Sequence, residues 1–164
     1  MISGKRAFAG RQIRAWLIAF GVLLAPGVVR GQTVQVPTLS LDGARAVLHA
    51  AEQRAEQLRA PSSLVVVDAA GDLILFEQMP CARPIGIELA IGKARSAARY
   101  QEPTQELEAT INTGRPAAIT APMVQMDGGV PIRVDGMFVG AVGVSGLDKA
   151  NDVKIADAAA AAVK

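Results

Sequence analysis

Few residues in this chain are equipped for chemistry, and most of them stand alone. His49 is the only histidine among 164 residues, and a neutral imidazole is the commonest protein ligand for a metal ion. At helical spacing its neighbours are Arg45, Ala46, Glu52 and Gln53, so it lies on a polar face beside an apolar stripe, where an ordinary solvated histidine would also stand. Cys81, the only cysteine, sits in Pro80-Cys81-Ala82 with Arg83 as the nearest cation. It could serve as a thiolate if its pKa were lowered, or pair between chains. Tyr100 and the thioethers of Met79, Met123, Met126 and Met137 add possible donors to a metal, although methionines ordinarily fill core gaps and Tyr100 suits the end of a helix. Lys93 offers a flexible ammonium to a ligand carboxylate, or snorkels to solvent. Ser145-Gly146 lies where a strand gives way to a helix, and backbone N–H groups there can hold an anion. Asp148 in the same turn repels one, which disfavours phosphate.

Several familiar constellations fail. A structural zinc site needs about four Cys or His ligands, and this chain has one of each. Gly143-Val144-Ser145-Gly146 begins a nucleophile elbow, but the glycine required at 147 is Leu147. Neither a Walker loop nor G-x-G-x-x-G occurs, and Gly140, Gly143 and Gly146 instead suit close packing within and just after a strand. No carboxylate pair singles itself out for acid–base catalysis. Basic residues are not interleaved with aromatics, so nucleic acid is disfavoured as a partner.

The elements that must position these residues begin after a basic, apolar start. Residues 1–31 carry Lys5, Arg6, Arg11, Arg14 and Arg30, no acid, and an apolar run from Ala15 to Ala25 broken by Pro26-Gly27. A basic region, a short apolar core and a small-x-small site before Gln32 form the pattern of a secretory signal peptide. A membrane-spanning helix needs about 20 apolar residues, so an uncleaved anchor is the lesser alternative. The expected mature protein is secreted or periplasmic, with no membrane attachment after cleavage. The chain's formal net charge of +2 and pI near 9.0 belong to this leader: without it, 12 bases face 15 acids, a net charge of −3.

Residues 32–39 read as a tether and 40–164 as one domain. Ser40 caps a helix from Leu41 to about Arg59, stopped by Pro61. Leu64–Val67 and Leu73–Phe76 form a hairpin around Ala69-Ala70-Gly71-Asp72, and their continuous apolar runs suggest strands covered on both faces. A helix follows over 85–100, then a shorter one capped by Thr104 and ending near Gly114. Between 115 and 126 nothing regular is expected. A second hairpin, Val130–Val134 and Met137–Val144, turns on Asp135-Gly136, and an alanine-rich helix closes the chain over 149–163. The order α-ββ-α-α-ββ-α predicts an α/β (α+β) fold with a mainly antiparallel sheet flanked by helices.

Four segments together resemble the GlcG/HbpS-like family: Val65–Leu73, Ala90-Ile91-Gly92-Lys93-Ala94-Arg95-Ser96-Ala97, Gly128–Ile132, and Val139–Gly146. That family includes extracellular haem-binding proteins and the C-terminal domain of some corrinoid adenosyltransferases. The resemblance implies a profilin-like sandwich, a homo-oligomer and haem or another tetrapyrrole as ligand, with no required catalytic activity. The sequence departs from the family pattern at Leu147–Val153, where a Gln-Asp-Glu-like stretch is usual. Taken with the resemblance, His49 is the first candidate for an axial iron ligand, and Lys93 and Ser145 are candidates to contact the ligand. The expected role is haem capture, storage or signalling to an envelope sensor. The alternative is an enzyme or accessory subunit acting on a small carboxylate or corrinoid, with Lys93 and Ser145 lining its pocket.

Overall fold

Local signals set most of the element boundaries. The computed structural model describes Gly31 and residues 34–164. The predicted leader, apart from Gly31, and residues 32–33 of the predicted tether lie outside the described residues. Ser40 takes extended backbone and its hydroxyl accepts a hydrogen bond from the Gly43 N–H, starting α1 (Leu41–Leu58). Arg59, in the left-handed region at φ 51°, closes the helix ahead of Pro61. β1 (Ser63–Asp68) and β2 (Leu73–Gln78) are joined by a turn in which the Asp68 carboxylate accepts from the Ala70 and Asp72 N–H groups, both at 2.8 Å. α2 (Gly86–Tyr100) and α3 (Thr104–Thr113) follow, then a 3-10 helix over Pro116–Thr120 inside the stretch expected to be irregular. β3 (Gly129–Val134) and β4 (Met137–Ser145) meet at Asp135 and Gly136, with φ of 50° and 76° as a type I′ turn requires. α4 (Lys149–Ala160) ends the fold.

The strands form one antiparallel sheet in the order β2-β1-β4-β3. Alternation divides the core in two. Leu64, Val66, Ile132, Val142 and Val144 face α1 and α4, where they meet Val47, Ala51, Ala55, Ile155 and Ala156. Val65, Val67 and Ala141 face α2 and meet Ala90, Ala94 and Ala97. The predicted mixed fold and element order are therefore the observed ones. On the α2 side a glycine sets the layer spacing: a Cβ at Gly143 would collide with the Ala90 carbonyl oxygen and the Ala94 backbone.

Two expectations are corrected. β1 is covered on both faces, but β2 is an edge strand, with Phe76 58% exposed and Leu73 also at the surface. An apolar run does not distinguish a central strand from an edge one. Thr104 does not cap α3; Pro103 holds that position, and Thr104 is the buried first residue of the helix. Its hydroxyl is drawn inward, where it accepts from the Gly129 N–H at 2.8 Å and so ties α3 to the start of β3. Among the described residues no helix is long and apolar enough to cross a membrane.

Candidate functional site

The buried stripe of α2 runs through Ala90, Lys93, Ala94 and Ala97, so Lys93 occupies a core position. The buried stripe of α4 runs through Asp152, Ile155, Ala156 and Ala159, and places a carboxylate in an equivalent position. The two helices lie on opposite faces of the sheet, and the side chains meet at the end of β4. Lys93 Nζ donates to Asp152 Oδ2 at 2.9 Å and to the Val144 carbonyl at 2.8 Å, with both side chains at most 5% exposed. Asp152 Oδ1 accepts from the Gly146 N–H at 2.7 Å. The first turn of α4 is thus filled by the chain's own acids, since Asp148 caps it by accepting from the Ala150 N–H. Lys93 neither snorkels nor sits in solvent: it is one half of a buried ion pair.

Ser145 is buried beside this pair, opposite Ser63 in the sheet register. The Ser63 hydroxyl is buried without a hydrogen-bond partner. Lys93, Ser145 and Asp152 line a cavity of 260 Å³ together with Arg83, Glu108 and Lys149. Glu108 on α3 accepts from the Asp127 N–H at 2.8 Å and from Lys149 Nζ at 3.0 Å, and Lys149 also lies 3.5 Å from Asp127. Burial pushes the Asp127 carboxyl up, and the adjoining Glu108 pushes it further. Burial acts upward on Glu108 as well, but the Asp127 N–H and the Lys149 ammonium outweigh it and leave Glu108 below the ordinary range.

Next to the polar cavity, and sharing Leu89, Glu108 and Met126 with it, is an apolar cleft of 370 Å³. Ile111 of α3, Ile119 of the 3-10 helix, and Met123 and Val124 of the following loop form its walls. Ile119 is 72% exposed. Met123 and Val124 also border a depression of 400 Å³ that holds Arg95 and Arg99. Arg95 donates to the Gly71 carbonyl, and Arg99 lies 3.6 Å from the Met123 sulfur.

His49 is elsewhere. It projects from α1, with its side chain 66% exposed, 3.0 Å from Gln53 Nε2 and 3.6 Å from Glu52. Nearby Glu77 is pushed up by partial burial and then by the charges of Glu52 and Glu56, against the opposing effect of His49. Lys93 and Ser145 are brought together, whereas within one chain the sheet separates them from His49. Cys81 is exposed at φ 68°, Tyr100 lines a separate depression with Arg115, and Met79 packs against the α1–α4 core. Met137 is exposed at the second hairpin. Among the described residues no three His, Cys, Asp or Glu side chains gather as a metal site. Sequence reasoning missed Asp152, Arg83 and the apolar cleft. Asp152 carried a usable signal, an acid on the buried stripe of one helix to match a lysine on that of another.

Comparison with known proteins places this geometry. A family model described as "Haem degrading protein HbpS-like" matches residues 39–161. Protein GlcG of Escherichia coli K12 is 40% identical over 108 residues, 65% of this chain and 81% of GlcG. Corrinoid adenosyltransferase PduO of Salmonella typhimurium is 32% identical over 130 residues, 76% of this chain but 39% of PduO. Among solved structures, HbpS superposes with a TM-score of 0.75 at 28% identity, covering 82% of this chain and 96% of that one. The PduOC:heme complex superposes at 0.69 with 31% identity, covering 77% and 96%.

Proposed function

This chain belongs to the HbpS-like family, and from that premise we propose that it binds haem in the apolar cleft between α2, α3 and the 3-10 helix. The observation that carries the reading is the cleft itself: branched and thioether side chains line 370 Å³ of space, and Ile119 stands largely exposed at its wall. Arg95 and Arg99, in the adjoining depression, are the cations that would meet propionate groups. Met123 and Met126 place two thioether sulfurs at the cleft, and these would hold the iron. Bound haem would supply an iron centre for the cleft's sulfur donors to hold. His49 would serve iron in this cleft only from another subunit, since its own lies across the sheet.

The same reading includes export and self-association. The basic, acid-free start with its apolar run supports secretion or delivery to the periplasm. In that compartment a homo-oligomer would capture or buffer haem, or report it to an envelope sensor, with no catalytic step required. The haem named with the PduO C-terminal structure supports the choice of ligand.

Hemin titration followed in the Soret band tests the proposal. A saturable shift is expected for the parent protein, with a marked loss of affinity for Ile119→Asp, which puts a charge in the cleft wall. His49→Ala, Met123→Ala and Met126→Ala then sort the axial donors by their spectra. Absence of a saturable shift in the parent protein overturns the proposal.

A further inference from the structure

We propose that the polar cavity next to the cleft is a separate binding site for a small, singly charged carboxylate. It is lined by a buried ammonium, a buried hydroxyl and an exposed guanidinium, from Lys93, Ser145 and Arg83. An ammonium has three N–H donors, and Lys93 gives one to Val144 and one to Asp152, leaving the third for the cavity. Among the described residues no hydrogen bond takes up the Ser145 hydroxyl, and no carboxylate pairs with Arg83. Lys93 is paired with Asp152 and Lys149 is shared between Glu108 and Asp127, so three cations and three carboxylates line the cavity. Arg83 is the one cation of the three without an ion pair among the described residues, and it is the group that would meet a carboxylate.

The shape and the surrounding acids narrow the class. At 260 Å³ the cavity falls just below the range of about 300–1,000 Å³ found for drug-sized ligands. Leu89, Met126 and Leu147 offer room for a short alkyl chain. A planar carboxylate can give one oxygen to Lys93 and Ser145 and the other to Arg83 in a charge-assisted hydrogen bond. A doubly charged phosphate would meet Glu108, Asp127 and Asp152 with only one unpaired cation, Arg83, to contact it. The site stands whether or not the neighbouring cleft takes haem.

Calorimetric titration of the full chain, purified without added hemin, provides the test. The probes are acetate, propionate and lactate, with acetamide, propionamide and inorganic phosphate as controls. Saturable binding of at least one carboxylate is expected, with none for the amides or phosphate. Arg83→Gln, at an exposed position that does not threaten folding, is expected to weaken binding about tenfold, the loss of one charge-assisted contact. Ser145→Ala should weaken it several-fold while leaving the circular dichroism spectrum unchanged. Failure of every carboxylate to bind, equal binding of an amide or phosphate, or indifference to both substitutions would each overturn the site.

Discussion

The two helical layers solve the same packing problem with different materials. On one side of the sheet, α1 and α4 set Val47 and Ile155, with several alanines, against Leu64, Val66, Ile132, Val142 and Val144, a dense aliphatic core whose chemistry-bearing histidine points outward. On the other side, α2 lays alanines against a glycine-containing strand, closely enough that Gly143 has no room for a Cβ. The first layer derives stability from side-chain volume. The second lets the backbones approach, and the buried Lys93 ammonium and both proposed ligand sites lie beside it. A small-residue helix leaves its flanks to α3 and the 3-10 helix, and the cleft opens between them.

The contrast can be broken by substitution, and the largest effect is expected at the buried pair. Lys93→Met leaves Asp152 buried without its partner, and breaking such a pair costs about 3–5 kcal/mol. Urea unfolding should show that loss, and the double variant Lys93→Met/Asp152→Leu should recover most of it. Gly143→Ala forces α2 off the strand and should cost about 3 kcal/mol in the same assay. In the aliphatic layer, Ile155→Val removes one methylene from a fully buried side chain and should cost about 1 kcal/mol. Equal losses at Gly143 and Ile155 would erase the distinction between the layers.

The smallest effect belongs to Glu108 and Asp127, two of the acids lining the cavity. Glu108 is held below its ordinary range, so its contribution is present above the unfolded value of 4.5 and is lost as pH falls through the lower folded value. Asp127 is raised, so the folded state binds its proton more readily and gains stability as pH falls toward 3.8. The two contributions oppose each other. Asp127→Asn should shift stability near neutral pH by less than about 1 kcal/mol. It should also steepen the acid-side loss below pH 4.5, where Glu108 is left unopposed. Unfolding midpoints measured from pH 3 to 7 check the sign.

Local rules made most of the framework legible. The Ser40 cap, the Asp68 turn and the Asp135-Gly136 turn are each written within a few residues, and each element they bound is present. What depended on tertiary context was harder to read. An edge position for β2 depends on sheet order, which its apolar run does not encode. The Lys93–Asp152 pair joins residues 59 positions apart on opposite faces of the sheet, so neither residue shows its role alone. The cleft needs three segments to meet, including a 3-10 helix in a proline-bearing stretch where periodicity is silent. His49 attracted attention by its chemistry, but its neighbours on α1 already placed it in solvent.

The most direct test of the haem-cleft proposal is a nuclear magnetic resonance map of hemin on the isotope-labelled protein, using paramagnetic broadening of methyl signals. Saturable, localised loss of signal is expected from Ile111, Ile119, Met123 and Val124, with Ile155 and Val47 in the opposite layer unaffected. Broadening centred on α1 around His49, with the cleft methyls unchanged, would contradict it.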